Sequence, residues 1–194
     1  MDATKAAIRQ ALLAQREALS AEQVAGFSEQ LQEHLLGSSF YARAQRLALY
    51  AAFKNEARTD RVFAQARRDG KQVLFPRMRG RGPEMDFCLV QDPAEMVLYR
   101  LGFREPPASA PVVAVERIDL MLLPGLAFDR QGFRLGFGAG CYDRALPRLR
   151  PEAWTCGAAY SFQVVEQLPR AAHDVPVKLL VTEGGFVPVS LRAE

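Results

Sequence analysis

From Asp2 to Leu19 the chain is rich in Ala, Leu, Gln and Arg and contains neither Gly nor Pro, a composition that predicts a helix. At about 100° per residue, Ile8, Leu12 and Leu19 share one stripe, Lys5, Arg9 and Arg16 share a second stripe bordering it, and Leu13 lies on the far side. Cations beside an apolar stripe either snorkel at a helix margin or meet an anionic ligand. Ser20 followed by Gln23 forms a capping-box pattern, after which Val24, Phe27, Leu31 and Leu35 recur at helical spacing until Gly37. Leu47 to Ala52 then has the apolar character of a strand. Thr59 can open a helix running to Asp69, Gly70 follows it, and Gln72 to Pro76 forms a second strand.

Met85 to Val90 suits a further strand, whereas Pro93, Gly102, Pro106, Pro107 and Pro111 make the middle of the chain loop-rich. Ile118 to Leu123 is a continuous apolar run ended by Pro124-Gly125, as expected of a central strand buried on both faces. A glycine-rich run to Gly140 precedes an expected helix from Cys141 to Leu149. Thr155 to Tyr160 and Val177 to Thr182 are expected strands, with a short helix from Ser161 to Gln167 between them. Strands alternating with helices predict a single α/β domain over residues 1–194, a three-layer α/β/α sandwich with a mostly parallel central sheet.

The 194 residues are 49% hydrophobic, enough for a substantial core, and the formal charge of +3 is too mild to compel a nucleic-acid or membrane partner. Cys88, Cys141 and Cys156 are odd in number and widely spaced, which argues against a disulfide framework or a structural zinc site. No apolar leader follows the charged start, and no stretch reaches about 18 consecutive apolar residues. A cytoplasmic protein with reduced thiols is expected.

In an α/β sheet, ligands gather beyond the carboxyl ends of the strands, which directs attention to the segment after Leu123. There Gly136, Gly138 and Gly140 alternate, letting the backbone approach an anion and the following helix add its N-terminal dipole. G-x-G-x-G is neither the dinucleotide nor the P-loop fingerprint, and such a run can equally be a structural turn. Arg134 just before it could pair with a phosphate, and Asp143 just after it could hold the Mg²⁺ that accompanies ATP. Asp129 suits either a metal or an Asp-Arg-Gln-Gly turn, the turn being favoured. Glu56 and Arg77 each follow a strand and could contact a ligand. His34 reads as a surface residue, and His173 as a switch or acid/base group, although two histidines and no nearby Ser nucleophile argue against a hydrolase triad. Cys141, at a helix N-terminus, could have a lowered thiol pKa or simply fill space.

The segment Leu123 to Arg144 resembles the signature of the 5-formyltetrahydrofolate cyclo-ligases, also called methenyltetrahydrofolate synthetases. The likeness extends to Lys5 with Arg9 and Arg16 before Leu19-Ser20, to Tyr50 through Glu56, to Gly70-Lys71 and Pro76-Arg77, and to His173-Asp174-Val175-Pro176 with Val181-Thr182-Glu183. The resemblance implies an enzyme that uses ATP and Mg²⁺ to cyclise 5-formyltetrahydrofolate to 5,10-methenyltetrahydrofolate, acting as a monomer without nucleic acid or membrane. It implies Lys5, Arg9, Arg134 and the run Leu135, Gly136, Phe137, Gly138, Ala139, Gly140, Cys141 and Tyr142 as the ATP site. Arg134 and Tyr142 would act in catalysis. Ala51, Glu56 and Phe137 to Cys141 would meet the folate, and Asp143 with Asp174 the metal. Phe137 and Ala139 stand where some relatives have basic residues, and Cys141 where an aromatic is usual; Lys178 stands where some relatives are acidic.

Other readings predict different behaviour. A small-molecule kinase would keep Arg134 and Asp143 without needing Glu56, and a folate- or nucleotide-binding module would keep the pocket without turnover. RNA binding through Arg77-Met78-Arg79-Gly80-Arg81 lacks the interleaved aromatics of a stacking surface.

Overall fold

The structure is a computed structural model that describes residues 4–80 and 82–190. The expected helix start at Asp2 and the last arginine of the 77–81 stretch lie outside the described residues. Helix α1 (Lys5–Glu17) opens at Thr4, whose hydroxyl accepts the Ala7 N–H. Helix α2 (Ala21–Leu36) opens on the predicted reciprocal box between Ser20 and Gln23 and closes at Gly37. A one-turn helix α3 (Ser39–Arg43) follows because the Ser38 hydroxyl accepts the Tyr41 N–H; it is too short to show an apolar period.

Strand β1 (Arg46–Ala48), helix α4 (Asp60–Arg68) and strand β2 (Gln72–Met78) form the predicted crossover, with Leu47 level with Val73 in a parallel pair. Thr59 does not cap α4. Its hydroxyl donates to the Tyr50 carbonyl, and the Gln32 side chain of α2 instead accepts the Arg61 and Val62 N–H groups. Strand β3 (Met85–Leu89) pairs antiparallel with β2. The segment expected to be loop holds a ribbon of β4 (Val97–Leu98) with β5 (Arg104–Glu105), then β6 (Val112–Val113) against β3. Two-residue strands carry no legible period.

Strand β7 (Leu120–Leu123) is buried at every position, as its unbroken apolar run requires. After it come β8 (Ala127–Asp129), β9 (Arg134–Leu135), helix α5 (Cys141–Ala145), β10 (Trp154–Ala158), β11 (Val164–Val165), β12 (Leu179–Thr182) and β13 (Gly185–Val187). The helix expected from Cys141 to Leu149 stops at Ala145 and gives way to a tight turn at Leu146–Arg148, where Pro147 lacks the N–H to continue it. The helix expected from Ser161 to Gln167 is a single turn, Ser161–Gln163, followed by β11. The Gln163 amide is tied to the Gly125 and Leu126 carbonyls.

The main sheet runs β13-β12-β10-β7-β1-β2-β3-β6. Its five central strands are parallel and its flanking pairs antiparallel. One face buries Leu47, Leu120 and Leu122 with residues of α2 and α4. The other buries Leu74, Met121 and Leu123 with Phe128 and α5. The mostly parallel three-layer architecture is therefore the one predicted, though a short helix and a second sheet, β11-β8-β9, form the outer layer on the second face. Asp129 organises that sheet. One oxygen accepts the Gln131 and Phe133 N–H groups, and the other accepts Leu168 N–H and faces Arg170 at 3.3 Å. Asp129 is thus a buried turn residue and not a metal ligand. Among the described residues no helix is long and apolar enough to cross a membrane.

Candidate active site

From β1 the chain crosses to β2 on one side and later returns to β7 on the other, so the carboxyl ends of β1 and β7 form a topological switch point, where a crevice opens. A cavity of about 480 Å³ occupies it. Tyr50 and Ala51 beyond β1, Pro76 and Met78 of β2, and Pro124 and Gly125 beyond β7 form its base. Lys5 and Arg9 of α1, Glu56, Asp174 and every residue from Arg134 to Asp143 line the same cavity. All the site residues that the family resemblance implies therefore meet, although they come from remote parts of the chain.

The glycine run leaves β9, the antiparallel partner of β8, and not β7 directly. Gly138 and Gly140 have φ of 99° and 66°, conformations that favour glycine. Gly136 does not, but the space where its Cβ would stand is open. The Gly136 carbonyl accepts the Arg9 Nε hydrogen at 2.9 Å, which fastens α1 to the run. Because α5 has only five residues, the expected dipole contribution is small, which leaves the loop N–H groups as the donors available to an anion.

Two cation–carboxylate pairs line the cavity. Arg134 meets Asp143 at 2.9 Å, its side chain nearly buried, and its guanidinium lies 5.6 Å from the centre of the Tyr142 ring. Lys5 meets Asp174 at 2.8 Å. Burial pushes the Asp174 carboxyl upward, but Lys5 and the Ala171 N–H outweigh it and hold the group below its usual range. Among the described residues no cluster of three or more His, Cys, Asp or Glu could hold a metal on protein ligands alone. Two carboxylates in one cleft nevertheless suit Mg²⁺, which commonly takes one or two carboxylates and completes its shell with phosphates and water.

Glu56 is buried, and burial raises its pKa from 4.5 to about 7 despite Arg16, whose guanidinium stands 3.7 Å away, and the Phe53 N–H. The phenols of Tyr50 and Tyr142 are pushed well above their ordinary range, again mainly by burial. Both remain protonated donors at neutral pH. The possibility of an activated Cys141 thiol is corrected by the same effect: burial raises it, and Cys141 packs with apolar neighbours.

Other sequence candidates lie elsewhere. Arg77 pairs with Asp86 at 3.5 Å and donates to the Pro107 and Ala108 carbonyls, while Arg79 also holds Asp86. Both arginines of that stretch thus serve local structure. His34 is exposed and bonded to the Glu183 carbonyl; His173 lies at the cavity rim, its side chain 78% exposed, 3.8 Å from Asp174. Lys178 donates to the Ala153 carbonyl beside Trp154. Sequence reasoning missed the aromatic wall, in which Phe53 lies 5.4 Å from Phe137 and 5.8 Å from Phe103. These rings come from three loops and share no spacing. It also placed Arg16 only on a stripe, whereas the side chain is completely buried beneath Glu56.

The 5-formyltetrahydrofolate cyclo-ligase family model matches residues 1–183. The 5-formyltetrahydrofolate cyclo-ligase of Escherichia coli K12 is 31% identical over 170 residues, covering 86% of this chain and 93% of that protein. The mouse cyclo-ligase is 26% identical over 193 residues, covering 94% and 95%. The solved structure of Aquifex aeolicus 5,10-methenyltetrahydrofolate synthetase superposes with a TM-score of 0.84 at 34% identity, covering 98% of this chain and 95% of that one. With a family match over almost its whole length and a closely superposing fold, the chain belongs to the 5-formyltetrahydrofolate cyclo-ligase family.

Proposed function

We propose that this protein uses MgATP to convert 5-formyltetrahydrofolate to 5,10-methenyltetrahydrofolate, releasing ADP and phosphate. The formyl oxygen attacks the γ-phosphorus and ADP leaves. N10 then attacks the activated carbon, its proton is lost, and the carbon–oxygen bond breaks to release phosphate. The observation that carries this reading is the convergence on one switch-point cavity of Lys5, Arg9, the Arg134–Asp143 run, Asp174 and the buried Glu56.

Phosphoryl transfer asks a protein mainly for positioning and charge stabilisation, and this cavity has cations and loop N–H groups but requires no nucleophile. Lys5, Arg9 and the backbone from Leu135 to Tyr142 hold the phosphates, and Arg134 stabilises charge on the transferring group. The protonated Tyr142 phenol adds a donor. Asp143 and Asp174 would hold Mg²⁺, which would supply positive charge to offset that of the phosphates. In the protein alone, Arg134–Asp143 and Lys5–Asp174 are neutral pairs. An anionic nucleotide and a divalent cation can divide each pair, the phosphates taking the cations and the metal the carboxylates. Glu56, with Ala51 beside it, receives the N–H donors of the pterin. The interval Phe137 to Cys141 packs the folate through backbone and apolar contacts, since Phe137 and Ala139 have no charge to offer. All these contacts come from one chain, so a monomer suffices.

Methenyltetrahydrofolate formation, followed by its near-ultraviolet absorbance, tests the reading. Folded protein given 5-formyltetrahydrofolate and MgATP should produce the signal, and omission of ATP or chelation of Mg²⁺ should abolish it. No ATP-dependent signal would sink the proposal.

A further inference from the structure

Arg16 is the largest fully buried side chain among the described residues. Its Nε donates to the Lys54 carbonyl at 2.9 Å and one terminal nitrogen to the Gly125 carbonyl at 3.3 Å, while Glu56 stands 3.7 Å away, beyond hydrogen-bond reach. Its other terminal nitrogen is, among the described residues, the buried side-chain N or O without a hydrogen-bond partner. The guanidinium also lies 5.9 Å from the centre of the Phe137 ring. Lys54, Gly125, Glu56 and Phe137 all line the cavity, so Arg16 forms a layer directly beneath it.

The loop that presents Glu56 is strained. Lys54 and Asn55 have φ of 48° and 55°, left-handed values that non-glycine residues rarely adopt. Two ties to the end of α1 hold it: Arg16 grips the Lys54 carbonyl, and the Asn55 amide donates to the Arg16 and Leu19 carbonyls. The other titratable groups near Glu56 are the protonated phenols of Tyr50 and Tyr142 and the loop's own Lys54, which faces Glu17 at 3.7 Å. Arg16 is the cation directed at the carboxylate.

We infer that Arg16 is a positioning residue for folate recognition: it holds the Lys54–Glu56 loop in place and favours the charged form of Glu56 as that carboxylate accepts the paired N–H donors of the pterin's amidine-like edge. This rests on the assignment of Glu56 to the pterin. The terminal nitrogen that faces Glu56 is the one bonded to the Gly125 carbonyl, and the 3.7 Å gap leaves room for the pair to tighten when the ligand arrives.

The test is steady-state kinetics from pH 6 to 9 on the wild type, Arg16→Gln, Arg16→Lys, Glu56→Gln and the Arg16→Gln/Glu56→Gln double variant, varying the folate at saturating MgATP. Removing an opposite charge should raise the Glu56 pKa by at least about one unit, so Arg16→Gln should raise the folate KM about tenfold near neutral pH. That penalty should shrink as pH rises and Glu56 ionises unaided, with the ATP KM within about twofold of wild type. Arg16→Lys retains the charge but cannot grip both carbonyls, so its folate KM should rise without displacement of the pH profile. In the Glu56→Gln background, Arg16→Gln should add little. A pH-independent loss in Arg16→Gln, or full additivity in the double variant, overturns the inference. Should Arg16→Gln not fold, Arg16→Lys decides alone, and a wild-type KM in that folded variant overturns it. An unchanged folate KM in Glu56→Gln would instead overturn the underlying pterin assignment.

Discussion

Glu56 is a carboxylate whose burial works against its charge, and its linkage to pH runs opposite to that of an ordinary salt-bridged acid. Its pKa rises from 4.5 to about 7 on folding. Between those values the folded protein keeps a proton that the unfolded chain has released, so this group's stabilising contribution is present at low pH and is lost as pH rises through about 7. The full change is on the order of 3 kcal/mol. Urea unfolding at pH 4.5 and pH 8 should show this loss in the wild type and not in Glu56→Gln; equal pH dependence in both would refute it. Arg134 is expected to act on the transferring phosphoryl group. Arg134→Ala should therefore lower kcat by about 100-fold or more, by analogy with the loss of a preorganised transition-state donor, and wild-type turnover would remove that role. Both residues were legible in the sequence because a motif or a strand end marked them. Arg16 was not, because the same helical stripe would place a cation in solvent or in the interior, and only the loop at Lys54–Glu56 decides which.

At the scale of elements, the glycines that matter for packing lie outside the glycine-rich run. Phe128 of β8 is clamped between Gly125 and Gly157: a Cβ at either position would stand 2.6 or 2.4 Å from its ring. Gly157→Ala should therefore cost about 1–3 kcal/mol by overpacking, and Phe128→Leu should recover part of that loss in the double variant. Additive losses by chemical denaturation would refute the clamp. The run itself needs glycine for its backbone at Gly138 and Gly140. Gly140→Ala should cost about 1–2 kcal/mol through its left-handed φ, together with activity, since the same peptides face the cavity. Helices α1 and α2 and strands β2 and β7 were readable because each is long enough to show a period, a cap or an unbroken apolar run. The second sheet was not, since β9 and β11 span two residues each and β11 is held by β8, a partner distant in sequence.

Across the whole molecule, the site is a junction between α1 and the carboxyl edge of the sheet, joined by Arg9 to Gly136, Lys5 to Asp174 and Arg16 to Lys54. A ligand that bridges those parts stabilises the entire fold. MgATP at 100 times its Kd should add about 2.7 kcal/mol to the unfolding free energy. Lys5→Ala should reduce the MgATP-induced thermal shift, and more at low than at high ionic strength because the cation is partly exposed. A shift independent of both substitution and salt would count against the exchange of ion-pair partners. The sequence by itself determined the alternation of helices and strands, the central burial of β7 and the candidate residues that line the crevice, because these rest on local periodicity, caps and an ordered motif. Tertiary structure alone decided that Lys5 and Asp174 form a pair across the cleft, that Cys141 packs among apolar neighbours, that Asp129 is a buried turn hub, and that Arg16 is buried 3.7 Å from Glu56. Each of these depends on burial and on neighbours far apart in the chain, and linear spacing encodes neither.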